Sequence, residues 1–199
     1  MIGIVDYNMG NVGSIESMLH HLGYVDTLMV TSPEQLNLVD KIILPGVGSF
    51  DTAIRILKES GLFSELTNQV IEKRKPILGI CLGMQLLMDG SEEGRYDGLG
   101  WVKGKCKKFH FDDKKTKVPH MGWNQTNVIK NGLVSGESRF YYVHSYFVEC
   151  VNKEDIMLET TYKNTFISGV SKGNIYGVQF HPEKSHKYGM ELFKNFIKL

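Results

Sequence analysis

Cysteine is scarce in this chain: Cys81, Cys106 and Cys150 are the only three in 199 residues. The count is odd and no CxxC pair occurs, which speaks against a disulfide framework or a thiolate zinc site and fits a reducing compartment. Charge of one sign is missing as well. A formal net charge of +1, from 23 basic and 22 acidic residues, gives no pull toward nucleic acid or an anionic membrane. No apolar run is long enough to span a bilayer, and Met1-Ile2-Gly3-Ile4-Val5-Asp6 has neither the basic nor the long apolar region of a secretory leader. A cytoplasmic location is therefore expected. Linkers, repeats and low-complexity tracts are also lacking. With 42% hydrophobic residues, the span 1–199 is expected to form one domain with a full core. Nothing calls for a metal or cofactor, since His20 and His21 are adjacent on one helix and cannot share an ion from one face.

What is present is an alternation of periodicities. Ile2 to Val5 reads as a central strand, followed by a helix from Val12 with Ile15, Leu19 and Leu22 at helical spacing and Gly23 as its stop. Gly10 and Gly13 do not complete a GxGxxG pattern and read as a tight turn. Strands follow at Val25–Val30 and Lys41–Leu44, with a short helical turn opened by Ser32-Pro33-Glu34 between them. Ser49 is the expected cap of a helix over Asp51–Lys58, closed by Gly61. A further helix carries Phe63, Leu66, Val70 and Ile71 on one face. A strand from Pro76 to Ile80 then meets an amphipathic helix running to Met88. Strand and helix thus alternate four times, the pattern of an α/β fold with a mostly parallel sheet.

After Asp89 strand-like pieces take over, at 101–103, 105–111, 125–129, 140–148, 156–162, 165–170 and 174–180. They read as antiparallel hairpins added to the sheet, with Lys172-Gly173-Asn174 as a turn. The lysines between Lys103 and Lys117, interrupted by Asp112 and Asp113, read as an exposed hairpin rather than a nucleic-acid patch. A last helix, capped by Ser185, turns Leu192, Phe193, Phe196 and Ile197 inward.

Three stretches carry chemistry. Gly79-Ile80-Cys81-Leu82-Gly83 places a cysteine at a strand-to-helix junction, where an elbow displays a nucleophile and the helix N-terminus favours thiolate. A buried, inert core cysteine fits that stretch alone equally well. Pro45-Gly46-Val47-Gly48 has backbone N–H groups free to hold an anion or oxyanion, though a simple turn reads the same way. Phe180-His181-Pro182-Glu183 sets a histidine at a strand end with a carboxylate close behind, a base and its orienter, or else a surface turn. All three follow predicted strands, so they converge on the carboxyl edge of one sheet, where ligands of open α/β sheets collect.

Gly79 to Gln85 together with Phe180 to Glu183 resembles the triad-type, class I glutamine amidotransferases, whose fold is a flavodoxin-like α/β sheet. Within that family, Asp6 to Asn11, Pro45 to Gly48, His120 to Asn124, Tyr142 to Tyr146 and Gln179 to Ser185 are similar to the glutaminase subunits of imidazole glycerol phosphate synthase, from histidine biosynthesis. The likeness spans essentially the whole chain. It departs at Ser49-Phe50-Asp51, where a small residue and a glycine are expected.

The resemblance implies that Cys81 attacks the side-chain amide carbon of glutamine, that His181 protonates departing ammonia and that Glu183 positions His181. It implies oxyanion donors at Leu82 N–H and in the Val47–Gly48 peptide, a glutamine pocket lined by Gly48 and Gln85, and a partner-facing surface with Asn11, Trp123, Tyr141 and Lys184. The implied partner is a (βα)₈-barrel cyclase that uses the ammonia to convert a phosphoribulosyl-formimino-AICAR ribonucleotide into imidazole glycerol phosphate and AICAR. Three other readings stand beside this one: a paralogous glutaminase feeding another synthase, for instance in surface-sugar synthesis; a catalytically silent regulatory subunit; and a Cys-His hydrolase such as a peptidase.

Overall fold

The computed structural model describes residues 1–113 and 115–199. In the first half, strand and helix alternate as β1 (Ile2–Val5), α1 (Val12–His21), β2 (Thr27–Val30), β3 (Lys41–Leu44), α2 (Phe50–Glu59), α3 (Leu62–Thr67), β4 (Ile77–Ile80) and α4 (Leu82–Leu86). The second half holds β5 (Gly90–Ser91), β6 (Gly104–Lys108), β7 (His120–Val128), β8 (Ser138–His144), β9 (Tyr146–Cys150), β10 (Ile156–Tyr162), β11 (Asn164–Lys172), β12 (Ile175–Val178) and α5 (His186–Ile197). Strands β2-β1-β3-β4-β12 run parallel in that order, and β11-β10-β7-β8 continue the same sheet antiparallel. A branch through β9 carries β6 and β5. The expected α/β fold with added antiparallel strands is what forms.

The parallel strands read as unbroken apolar runs because both faces are covered. Alternate residues of each strand serve different cores. Ile42 and Leu44 join Phe50, Leu57 and Leu66 of α2 and α3, whereas Ile43 joins Ile15, Leu19, Leu192 and Phe196 of α1 and α5. Each such side chain, fully buried, stabilises the fold by about 1.5–3 kcal/mol. Three glycines let α4 lie directly on the sheet. A Cβ on Gly83 would sit 1.9 Å from the Leu44 carbonyl oxygen, and one on Gly79 2.7 Å from the Gly83 carbonyl oxygen. Gly177, opposite Gly79 in register, leaves room for Met84. This packing fixes the first residue of α4 against the end of β4.

Several expectations are corrected. The helix after Cys81 is neither long nor amphipathic. It stops at Leu86 and is buried throughout, because residues 99–102 wrap its end: Leu99 N–H donates to Leu86 O at 2.8 Å, Trp101 N–H to Leu87 O at 3.0 Å and Gly100 N–H to Met88 O at 3.0 Å. The same bonds remove Trp101 and Val102 from any strand. The single strand expected over 140–148 breaks at Ser145, so that β8 pairs with β7 and β9 with β6. No hairpin forms within 103–117 among the described residues, since β6 pairs with β9 and β5; Lys114 of that basic cluster lies outside them. β2 begins at Thr27 rather than Val25. After α3 the chain makes a wider i→i+5 turn over Asn68–Glu72, which carries Ile71 out to solvent.

Neither expected serine cap acts as one. The Ser49 hydroxyl turns to Thr52 Oγ1 at 2.7 Å, and the first amide of α2, Phe50 N–H, is instead taken by Glu93 Oε2 at 2.9 Å. Ser185 precedes α5 without a side-chain cap bond. Its hydroxyl is engaged elsewhere, as described below.

Candidate active site

Cys81 follows β4 directly and has φ 54° and ψ −109°. A non-glycine residue there is strained by roughly 1–3 kcal/mol and persists only where its surroundings over-determine it. The surroundings do so: its N–H donates to Val178 O of β12 at 2.8 Å, and its carbonyl accepts from Met84 N–H at 3.1 Å and Gln85 N–H at 3.3 Å. The side chain reaches a cavity of about 330 Å³ lined by Val47, Gly48, Leu82, Gln85, Glu93 and the turn at 143–146. Burial holds the other two cysteines as thiols, Cys150 being pushed up to about 12. Only Cys81 opens on this cavity.

β12 runs beside β4, and its continuation carries Gln179, Phe180 and His181 to the same edge. His181 Nδ1 and Glu183 Oε1 are 2.8 Å apart, with side chains only 3% and 1% exposed. The carboxylate accepts the Nδ1 proton and so fixes the tautomer, leaving Nε2, which is buried without a hydrogen-bond partner among the described residues. Burial alone would lower the imidazole pKa. The neighbouring Cys81 sulfur and then Glu183 outweigh it and raise His181 to about 10.

The glycine loop is held at its start, and the helix after it is tied to the 91–97 loop. Tyr7 Oη donates to Pro45 O at 2.9 Å, and Asp51 accepts from Arg95 N–H at 2.9 Å and Tyr96 N–H at 3.0 Å. Asp51 thus has a structural use at the position where the family resemblance fails: it clamps the 91–97 loop, and a Cβ on Gly94 would lie 1.9 Å from its Oδ1. Gly48 has φ +100°, a conformation other residues rarely adopt. Leu82 N–H is not free, because it donates to Gly46 O at 3.3 Å.

Of the residues expected in the pocket, Val47, Gly48, Leu82 and Gln85 all line it. The amide nitrogen of Gln85 is already engaged, donating to Tyr146 O at 3.2 Å and Gln179 Oε1 at 3.1 Å. The surface group is brought together in part. Trp123 meets Tyr141 edge-on, with centroids 6.3 Å apart, and stacks on His186, while Lys184 Nζ lies 5.9 Å over the Tyr141 ring. Asn11 sits immediately before the first turn of α1.

Sequence reasoning missed Gln179, Glu93, His144 and Ser185. Gln179 carried a signal, since the period of two along a strand puts it on the face of His181. Ser185 Oγ accepts from Tyr141 N–H at 3.0 Å and donates to His181 O at 2.6 Å, tying the middle of β8 to the buried histidine. His144 lies within the Tyr142 to Tyr146 motif, which gave no role to it, and nothing in the local sequence marks Glu93; the chain reversal at Ser145 and the 91–97 loop bring them in.

A cysteine on a strained elbow beside a buried His–Glu pair, at the carboxyl edge of an open parallel sheet, is the arrangement of a Cys-His-Glu triad enzyme. The chain belongs to the glutamine amidotransferase class-I family, which it matches over residues 3–199. It is 54% identical over 202 residues to the imidazole glycerol phosphate synthase subunit HisH 2 of Methanococcus maripaludis, covering all of this chain and 99% of that one. It is 46% identical to the protein of the same name from Pseudomonas aeruginosa, covering all of both. Among solved structures, PurLQS from Thermotoga maritima superposes with a TM-score of 0.77 at 20% identity, over 99% of this chain and 97% of that chain, and shares the fold.

Proposed function

We propose that this chain, read over 1–199 as one glutamine amidotransferase domain, is the cytoplasmic glutaminase subunit of an imidazole glycerol phosphate synthase. It would hydrolyse glutamine to glutamate and pass the ammonia to a (βα)₈-barrel cyclase. The observation that carries this reading is Cys81 on its strained elbow, facing a closed-in pocket beside the His181–Glu183 pair, in a chain alike from end to end to proteins of that name.

In this reading Cys81 gives its proton to His181 Nε2 and the sulfur attacks the side-chain amide carbon of glutamine. His181 returns the proton to the leaving nitrogen, ammonia departs and a glutamyl thioester remains. Water, deprotonated by the now neutral His181, attacks the thioester, and glutamate leaves as the sulfur recovers the proton. Glu183 keeps Nδ1 protonated throughout, so that Nε2 does the work. The tetrahedral intermediates need N–H donors, for which Leu82 and the Val47–Gly48 peptide are the candidates. Removing one such donor costs about 10²–10³ in rate. Because Leu82 N–H is bonded to Gly46 O, the oxyanion hole is not set for catalysis in this conformation, and the free subunit is expected to be slow. The exposed Trp123, Lys184 and His186, with the half-buried Tyr141, supply the surface on which the cyclase docks, and Asn11 belongs to the same docking face in this reading.

The test is co-purification with a cyclase subunit, followed by steady-state glutamine hydrolysis with and without that partner and its nucleotide. Stimulation, with ammonia appearing in imidazole glycerol phosphate, is expected. Full activity in the isolated chain, or delivery of ammonia only to a different acceptor, overturns the assignment.

A further inference from the structure

One backbone carbonyl sets the direction of a hydrogen-bond chain that ends on the Cys81 sulfur. Tyr146 O can only accept, so the two groups bonded to it must donate: Gln85 Nε2 at 3.2 Å and His144 Nδ1 at 2.8 Å. With its NH₂ so placed, Gln85 also faces Gln179 at 3.1 Å, which makes the facing atom of Gln179 its oxygen. The NH₂ end of Gln179 is thereby turned to Cys81, with Nε2 3.8 Å from Sγ. On the other side of the carbonyl, His144 Nε2 must accept from His120 Nδ1 at 3.0 Å, and His120 Nε2 from Asn124 Nδ2 at 3.3 Å. Burial keeps both imidazoles neutral, at about 3 for His144 and about 4 for His120, as this sequence of donors and acceptors requires. Gln179 is fully buried, Gln85 and His144 nearly so. Turning Gln85 around would set its oxygen against Tyr146 O and Gln179 Oε1, and turning Gln179 around would set one NH₂ against the other.

We propose that Gln179 is a further catalytic residue, its side-chain N–H donating to the Cys81 sulfur as the thiol proton moves to His181. The proposal deepens the reading of Cys81 as nucleophile and rests on it. An amide N–H bonds a thiolate more strongly than a thiol or a thioester sulfur. It therefore favours the state that attacks over the states before and after. Gln179 does not line the glutamine pocket, so its contribution falls on turnover and not on substrate binding.

Gln179→Met keeps the volume and removes the donor. At neutral pH, alkylation of Cys81 by iodoacetamide, followed by intact mass in the isolated chain, is expected to slow about tenfold, the low end for a lost hydrogen bond to a charged group. In the synthase complex kcat for glutamine falls by a similar factor, with KM unchanged. Wild-type alkylation in the variant overturns the proposal, as does a raised KM with unchanged kcat. A second measurement avoids substitution at the buried position. In the unaltered chain the Gln179 side-chain amide protons, followed by ¹H–¹⁵N NMR, shift as the sulfur ionises, and this titration is lost in Cys81→Ala. No titration in the unaltered chain, or one that survives in Cys81→Ala, also overturns it. Alkylation requires neither glutamine nor a partner, so failure of the glutaminase assignment is told apart from failure of this one.

Discussion

Replacing Ser185 by alanine tests whether β8, the last strand in the sheet order, is mechanically joined to the triad. The hydroxyl is fully buried and bridges Tyr141 N–H, at 3.0 Å, and His181 O, at 2.6 Å. The two losses are unequal. His181 O keeps a second partner, Lys184 N–H at 3.1 Å, whereas Tyr141 N–H loses the side-chain acceptor it has in Ser185. An orphaned buried donor costs about 1–3 kcal/mol. Taking about 2 kcal/mol, and about 2–4 °C per kcal/mol for a chain of this size, the melting temperature should fall by about 4–8 °C. Since Ser185 makes no cap bond to α5, helix capping does not contribute to that figure. The main chain of His181 stays attached through its own N–H to Tyr141 O at 2.9 Å, so the imidazole is loosened and not released. Turnover in the complex should drop about tenfold, less than the hundredfold that a full ångström of misplacement costs, with KM for glutamine unchanged. Scanning calorimetry and steady-state glutaminase kinetics read the two effects. A variant that melts within about 1 °C of wild type and turns over normally refutes the bridge as a working part.

Glu183→Gln keeps the shape of the His181 partner but lets the amide present its NH₂ to Nδ1, so kcat should fall by about 10⁴, as in other triads that lose their orienting carboxylate. The pKa of His181 is raised from an ordinary 6.5 to about 10, so the folded chain holds this proton more tightly than the unfolded one. The associated stability is complete below about pH 6.5 and is lost as pH rises through about 10. Urea unfolding across alkaline pH should show a steeper decline in wild type than in Glu183→Gln. Over the same range kcat should fall, because the proton that leaves with ammonia is no longer held. Gly83→Ala places a Cβ against the Leu44 carbonyl, backbone on backbone. It should destabilise the fold by about 1–3 kcal/mol and, by moving the start of α4, slow Cys81 alkylation more than Gly61→Ala does at its distant turn.

The parallel half of the sheet was legible because strands buried on both faces read as continuous apolar runs, and α1 and α2 between them each show an apolar stripe. The elbow at Cys81 and the pair at His181 and Glu183 were legible for a related reason: each follows such a strand, so the topology carries all three to one edge. The errors fall where long-range backbone bonds override local pattern. Residues 99–102 look like a strand but close the end of α4, and the apolar run at 140–148 conceals the reversal at Ser145 that forms the pocket wall. Ser49 and Ser185 have the chemistry of caps, yet their hydroxyls find better partners in Thr52 and in the Tyr141–His181 bridge. Gln85 was expected in the pocket and is there, but its amide faces inward to Gln179, a partner 94 residues away in the chain.

The central claim, that Cys81 is the nucleophile of a glutaminase, is tested most directly by labelling with a glutamine-derived diazoketone and mapping the adduct by peptide mass spectrometry. One adduct is expected, on Cys81, lost in Cys81→Ala, slowed in His181→Ala and blocked by excess glutamine. An adduct on Cys106 or Cys150, or labelling that persists in Cys81→Ala, contradicts it.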